Sequence, residues 1–410
     1  MVRRYFTATL CLSLSLWGPS IYGEDSLSLK TAWSIAREKS LALDVQKHQA
    51  DLSIALSQKS ALWEDPFLEL SQGHRKASAQ DSQVMTWNLR QRLPTGADRK
   101  IEQIAAEGEA SVQALKLKEV ELTQERDFAF KVYDHKIAEI ELHHTQERLE
   151  RISAIKQYLN RTKSYTAANS LERRLIDLRL RDIEQKKSKL LLEIQISQSY
   201  FNKIGVSGNS ITAPWIDASK LPSLVPENRT KNSLMTQQLE LKKRIANDQK
   251  DISLYRPVVD IFVAGMNESG GAEEKDNSIG IGLSLPLSAF SSGKKNALSA
   301  NLMMAEKSAA LAEREADLAM EEARLLSKNL AEMYKVINVE VIKKLESETP
   351  TYEASLKRQE ISIVQFLDYE DRIHEQVEQF YQNQVKAIQM ISMVSSSTGE
   401  SILNLIEGMK

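Results

Sequence analysis

The chain has 410 residues, of which 27% are charged and only 6% aromatic, and its formal net charge is −2. The lack of a basic excess argues against nucleic acid as a partner. The single cysteine excludes a disulfide framework.

Residues 1–23 read as a secretory signal. Arg3 and Arg4 form a basic start, Phe6 to Trp17 an apolar run, and Gly18-Pro19 a break before a cleavage point near Gly23. The run is too short to span a bilayer, which takes about 20 residues, and no later stretch is long and apolar enough to do so. The rest of the chain says the same thing twice. A first repeat is expected over 24–204, a linker over 205–229, a second repeat over 230–400 and a tail over 401–410.

Each repeat starts with a helix and then a proline-bracketed segment. Pro66 and Pro94 stand 28 residues apart, and Pro257 and Pro286 stand 29 apart. Between them apolar residues alternate with polar or small ones: Leu68 and Leu70; Met85, Trp87, Leu89 and Leu93; Val259, Ile261 and Val263; Ile279, Ile281, Leu283 and Leu285. A period of two predicts strands with one apolar face, so β-hairpins are expected over 67–93 and 258–287. Each pair is joined by a polar turn, Arg75–Ser82 in one and Asn267–Asn277, with Gly270-Gly271, in the other.

Long helices follow both hairpins. No proline falls between 95 and 213 or between 287 and 349, and an interior proline costs a helix about 3 kcal/mol. The first window holds apolar residues at helical spacing, among them Ile101, Ile104, Ala105, Val112 and Leu115. It predicts roughly 65 residues of helix before a turn near Tyr165–Asn169, or about 100 Å. Helices of that length with a 3- and 4-residue apolar spacing pack as coiled coils. The linker carries Pro214, Pro222 and Pro226, and Pro350 bounds the second helical window.

The fold class is therefore mainly α with a small β part. Two readings of the strands stand side by side. They are soluble hairpins on a core, or they are wall segments of a transmembrane β-barrel with Trp63 and Trp87 in its aromatic girdle. Four strands cannot close a barrel, and an open edge is not tolerated in lipid, so the second reading requires several copies of the chain. Three would supply twelve strands.

In order and spacing these segments resemble the TolC superfamily of outer-membrane efflux proteins, most closely its heavy-metal-efflux, CzcC-like branch. The likeness covers nearly the whole chain after the signal. Leu27-Ser28-Leu29-Lys30-Thr31-Ala32 is similar to the family's opening helix, and Asn277–Leu287 with Gly293-Lys294-Lys295 to its second strand, Pro-Leu turn and basic helix entry. Ala168–Glu172 and Ile361–Asp368 are similar to its two helix-turn tips, and Met393–Glu400 to the end of its second repeat. The chain departs from the family where Lys39-Ser40 and Asn232-Ser233 replace an Asn-Pro, and where Gln365 replaces one of two tip aspartates.

The resemblance implies a homotrimer in the outer membrane of a Gram-negative cell, in contact with outer-membrane lipid. Its twelve-stranded barrel would continue into a periplasmic helical tunnel. The chain would be the passive exit duct of a tripartite pump, working with a periplasmic adaptor (membrane fusion protein) and an inner-membrane pump such as an RND transporter, for substrates that include metal cations. It would be no enzyme, and no cofactor is expected: the sequence has no phosphate-binding glycine loop and no nucleophile constellation.

Three-fold symmetry would turn acidic residues near the tips into carboxylate rings, which favour cations at a constriction. The candidates are Asp368, Glu172, Asp371 and Glu370, against the plainer role of acids placed near helix N-termini. Ser170 and Ser362 are candidate helix caps. His135, Glu139 and His143 fall at i, i+4 and i+8 and form a weak metal stripe, against a solvated helix face. The competing class is a periplasmic coiled-coil adaptor or scaffold without a pore, which would carry one helical hairpin flanked by compact β domains.

Overall fold

The computed structural model describes residues 27–60, 65–76, 81–93, 96–162, 167–226, 233–252, 258–269, 275–284 and 292–409. The expected signal at 1–23 lies outside them, as do Trp63, the bracket residues Pro94, Pro257 and Pro286, Gly270-Gly271, and residues 163–166 of the first tip.

The elements follow one another along the chain in two series. A short strand β1 (Leu27–Ser28) leads into α1 (Leu29–Glu38) and α2 (Leu41–Ser60), then the hairpin β2 (Phe67–Lys76) and β3 (Asp81–Leu93), then α3 (Gly96–Thr162) and α4 (Ala167–Ile204). After β4 (Ile211–Thr212) and α5 (Leu221–Leu224), the second half runs through α6 (Leu234–Ile252), β5 (Val258–Ser269), β6 (Lys275–Ser284), α7 (Ser292–Val336), α8 (Val339–Lys357) and α9 (Ile363–Thr398), with α10 (Ile402–Glu407) at the end. Helix α3 has 67 residues, about 100 Å at 1.5 Å per residue.

The two hairpins join into one antiparallel sheet in the order β2-β3-β5-β6, leaving β2 and β6 as open edges. The register aligns the two sequence patterns. Leu68, Leu89, Val263 and Ile279 fall in one row across the sheet, Gln91, Ile261 and Ile281 in another, and Leu93, Val259 and Leu283 in a third. Successive positions of a strand alternate sides, so these rows of the register belong to one face. Rows such as Ser71, Thr86, Met266 and Asp276, or Glu69, Asn88, Ala264 and Ser278, occupy the other. Leu68, Leu70, Leu89 and Ile261 are all exposed within the single chain. Trp87 pairs in register with Gly265, and a Cβ there would lie 2.3 Å from the indole Nε1, so only glycine admits this ring.

The main core lies where the helices meet the segment that connects the halves. Phe128, Val132 and Tyr133 of α3, Phe201 of α4, and Ile388, Met390 and Ile391 of α9 close around Ile216 and Leu221 of that segment, with Ile402, Leu403 and Ile406 of α10. The segment is packed as tightly as the helices. Gln384 clamps Ile216 from both sides, donating to its carbonyl at 3.0 Å and accepting from its N–H at 2.9 Å. Tyr133 donates to the Pro214 carbonyl at 2.7 Å. β4 also pairs in parallel with β1, so this belt ties the start of the chain to its middle.

Three details differ from the sequence reading. The second proline-free window is not one helix: α7 stops at Val336, and Asn338 caps α8 by accepting from the N–H groups of Glu340 and Val341 at 3.0 and 3.1 Å. Pro350 does not end a helix but sits inside α8, where burial of Thr349 and Leu356 outweighs the lost backbone bond. Ser170 is not a cap, because α4 begins at Ala167. Ser362 is one. It accepts from Gln365 N–H at 3.2 Å while its own N–H donates to the Gln365 side chain at 2.8 Å, a reciprocal capping box.

Candidate functional site

Between the belt and the tip, the helices α3, α4, α8 and α9 change the chemistry of their contacts. At the tip end they meet in an apolar cluster: Ile152, Ile155 and Leu159 of α3, Ile176 and Ile183 of α4, Leu356 of α8, and Ile363, Phe366 and Leu367 of α9. Nearer the belt a second apolar cluster holds Ile137, Ile337, Ile342, Val377, Phe380 and Tyr381. Charged and imidazole groups occupy the space between the two.

The interruption is built into the seams. Along α3 the coiled-coil spacing runs Ile137, Glu141, His144, Arg148, Ile152, Ile155, Leu159. Glu141, His144 and Arg148 are polar where packing calls for apolar residues. On α9 Glu370 and His374 take the corresponding places between Phe366 and Val377. Arg148 is only 9% exposed and Glu370 3%, and Arg148 Nε donates to Glu370 Oε2 at 2.6 Å. A second donation from Arg148 reaches Asp371, which Arg179 of α4 also engages. Arg151 contacts Glu370 at 3.3 Å. Two carboxylates of α9 are thus gripped by three guanidiniums from α3 and α4.

One turn toward the belt, Lys186 of α4 donates to His374 Nε2 at 3.0 Å and lies 3.4 Å from Glu378 and 3.7 Å from Glu141. Burial, and then Lys186 and Arg148, push the His374 imidazole down to about 3, so it is neutral and free to accept. Burial raises Glu141, against the pull of Lys186. These groups line a cavity of about 510 Å³ between α3, α4 and α9, together with Asp182, Gln185, Lys189 and Glu193.

The acids singled out from sequence fall into two settings. Glu370 and Asp371 belong to the charged band. Asp368 faces outward on α9, 62% exposed, and pairs with Arg372 one turn on at 3.1 Å. Glu172 lies in the first turns of α4, half-buried. The band's cations and His374 carried no sequence signal on their own. The signal that could have found them is the run of polar residues at seam positions of α3 and α9.

The histidine stripe does not assemble. His135 is buried in the belt, with Nδ1 on Ser197 Oγ at 2.7 Å and Nε2 on Asn209 Oδ1 at 3.0 Å and 3.4 Å from Glu139. His143 is 55% exposed and pairs with Glu147. Its neighbour His144, 16% exposed, faces inward instead. Among the described residues no group of three or more His, Cys, Asp or Glu could hold a metal ion, and no helix is long and apolar enough to cross a membrane.

No protein-family model and no curated protein sequence matches the chain. Solved structures do. CusC, described as forming a transmembrane channel, is 14% identical with a TM-score of 0.65, over 93% of this chain and 95% of that one. The Campylobacter jejuni CmeC outer membrane channel is 13% identical with a TM-score of 0.62, over 93% and 88%. The outer membrane protein VceC of Vibrio cholerae is 14% identical with a TM-score of 0.61, over 91% and 96%. At these identities the shared property is the fold: from its strand pairs to its helix tips, this chain is built as outer-membrane channel proteins are built.

Proposed function

We propose that the chain is the outer-membrane exit duct of a tripartite efflux system and that it works as a homotrimer. The observation that carries this reading is a sheet that cannot stand alone. It has two open edges and an apolar face four strands wide, both of which need closure in lipid. Three copies of four strands make a twelve-stranded barrel.

The helices supply matching edges. Toward the sheet, α3 packs on α2 and α6, and α6 on α7, which leaves α2 and α7 on opposite flanks. Both flanks carry exposed apolar stripes: Leu41, Val45, Leu52 and Leu56 on α2, and Met304, Leu311, Leu318 and Leu325 on α7. The α7 stripe repeats every seven residues, the spacing of a coiled-coil seam. Toward the tip, α3 packs on α4 and α9, and α9 on α8; α4 there exposes Leu171, Leu175, Leu178, Leu192 and Ile196 along one stripe. Unlike edges on the two flanks give head-to-tail contacts that close into a ring.

In this reading a periplasmic adaptor and an inner-membrane pump of the RND kind supply contact and energy, and the duct performs no chemistry. The heavy-metal likeness puts metal cations among the cargoes, and an Asp368 ring would favour cations at the tip. Native mass spectrometry of the full chain in detergent tests the assembly. Three copies are expected, and Leu318→Lys with Leu325→Lys should give single chains. A wild type that stays monomeric, or a variant that still trimerises, would count against this arrangement.

A further inference from the structure

Helix α8 is fastened to α3 through an unusual pair. Its inward seam is buried at Ile342, Thr349 and Leu356, and the half-buried carboxylates of Glu346 and Glu353 stand between them. Glu346 Oε1 lies 3.5 Å from His144 Nε2 of α3. Both atoms are shielded from solvent, and neither has a hydrogen-bond partner among the described residues. With its ring proton on Nδ1, toward Glu147, a neutral His144 presents a lone pair at Nε2, and a deprotonated Glu346 would oppose it with a second buried acceptor. One proton between them satisfies both.

We propose that His144 and Glu346 share a single proton, and that losing it loosens α8 from α3. The surroundings favour the one-proton state. From α3, Glu147 stands 4.0 Å from His144 Nδ1 and close to Glu346, while His143 and Arg151 add positive or titratable groups. Lys343 acts from α8, and from α9 the Tyr381 ring lies 6.2 Å from His144, with His374 beyond it. A second anion at Glu346 would sit half-buried beside Glu147. Burial and Glu147 push Glu346 up to about 7, whereas burial lowers His144.

Helix α8 is suited to respond. It is separated from α7 by the break at Asn338, carries Pro350 one turn after Glu346, and packs chiefly on α9. A second polar tie to α3 lies at its other end, where the Tyr158 hydroxyl donates to the Lys357 carbonyl at 3.2 Å. The sign follows from linkage: a carboxyl whose folded value is raised stabilises the closed contact at low pH, and that contribution is lost as pH rises through about 7.

Hydrogen–deuterium exchange of the full chain in detergent, corrected for intrinsic rates, tests this at pH 6 and pH 8. With a folded value of about 7, opening that frees Glu346 to water becomes about tenfold more favourable between those pH values. The amides of α8 should therefore lose about tenfold in protection. Glu346→Gln should flatten the profile, and Glu353→Gln on the same helix should leave it as in the wild type. A wild type whose α8 protection does not change, or a Glu346→Gln profile that falls equally, would overturn the proposal. Exchange reads the helix contact and not conduction, so the result stands apart from the duct reading.

Discussion

The apolar cluster at the tip and the charged band just above it fasten the same four helices by opposite means. The tip buries Phe366 completely among Ile152, Ile155, Ile176 and Leu356. Such contacts are non-directional and tolerate small sliding. The band gives up that insensitivity for direction: Arg148 meets Glu370 at one distance and one angle, and an offset register would leave charges buried without partners. The contrast suggests a division of labour, in which the tip supplies adhesion and the band sets which turn of α9 faces which turn of α3.

That division can be broken from either side. The largest effect is expected for Glu370→Ala, which leaves Arg148 with Asp371 alone and takes from Arg151 its α9 partner; about 3–5 kcal/mol should be lost in thermal or denaturant unfolding. If the band serves register more than adhesion, Arg148→Met combined with Glu370→Leu should recover most of it. A double variant as unstable as the single one would make the ion pair a net stabiliser and end the contrast. Phe366→Ala should cost a similar 3–5 kcal/mol by cavity formation, with little dependence on salt or pH.

pH separates the regions further. His374 is held at about 3, below its ordinary 6.5, so the unfolded chain takes up a proton first. Stability is then lost as pH falls below about 6.5, at roughly 1 kcal/mol per pH unit. Melting curves of His374→Gln should lack that acid loss, and an unchanged profile would place the titration elsewhere. Ser362→Ala should cost about 1 kcal/mol by removing the α9 capping box. Asp368→Ala, at an exposed pair with Arg372, should change stability by less than about 0.5 kcal/mol.

Much of the architecture was legible because it rests on punctuation and period. The alternating residues of the brackets became the four strands, and their register joined the apolar positions of both hairpins into one face. Most of the proline-free first window became α3, which ends at Thr162, and α4, which starts at Ala167. The break before α8 was hidden because Asn338 caps through a local side-chain bond that neither proline nor glycine marks. Helix α8 runs through Pro350 because tertiary burial overrides a local preference. The band was illegible for a related reason. Arg148, Glu370 and Lys186 look like solvated helix residues one at a time, and only the assembled seams show that they face each other. Angle misled the histidine reading, since His144 points inward and the more conspicuous His143 does not.

The central claim is that this fold conducts. Single-channel recording of the purified full chain in planar bilayers addresses it most directly, with wild type beside Asp368→Ala. The account predicts discrete, uniform steps that are cation-selective, with selectivity weakened by the substitution. A protein that neither inserts nor conducts would contradict it, and the long helices would then belong to a periplasmic scaffold whose four strands form an ordinary sheet.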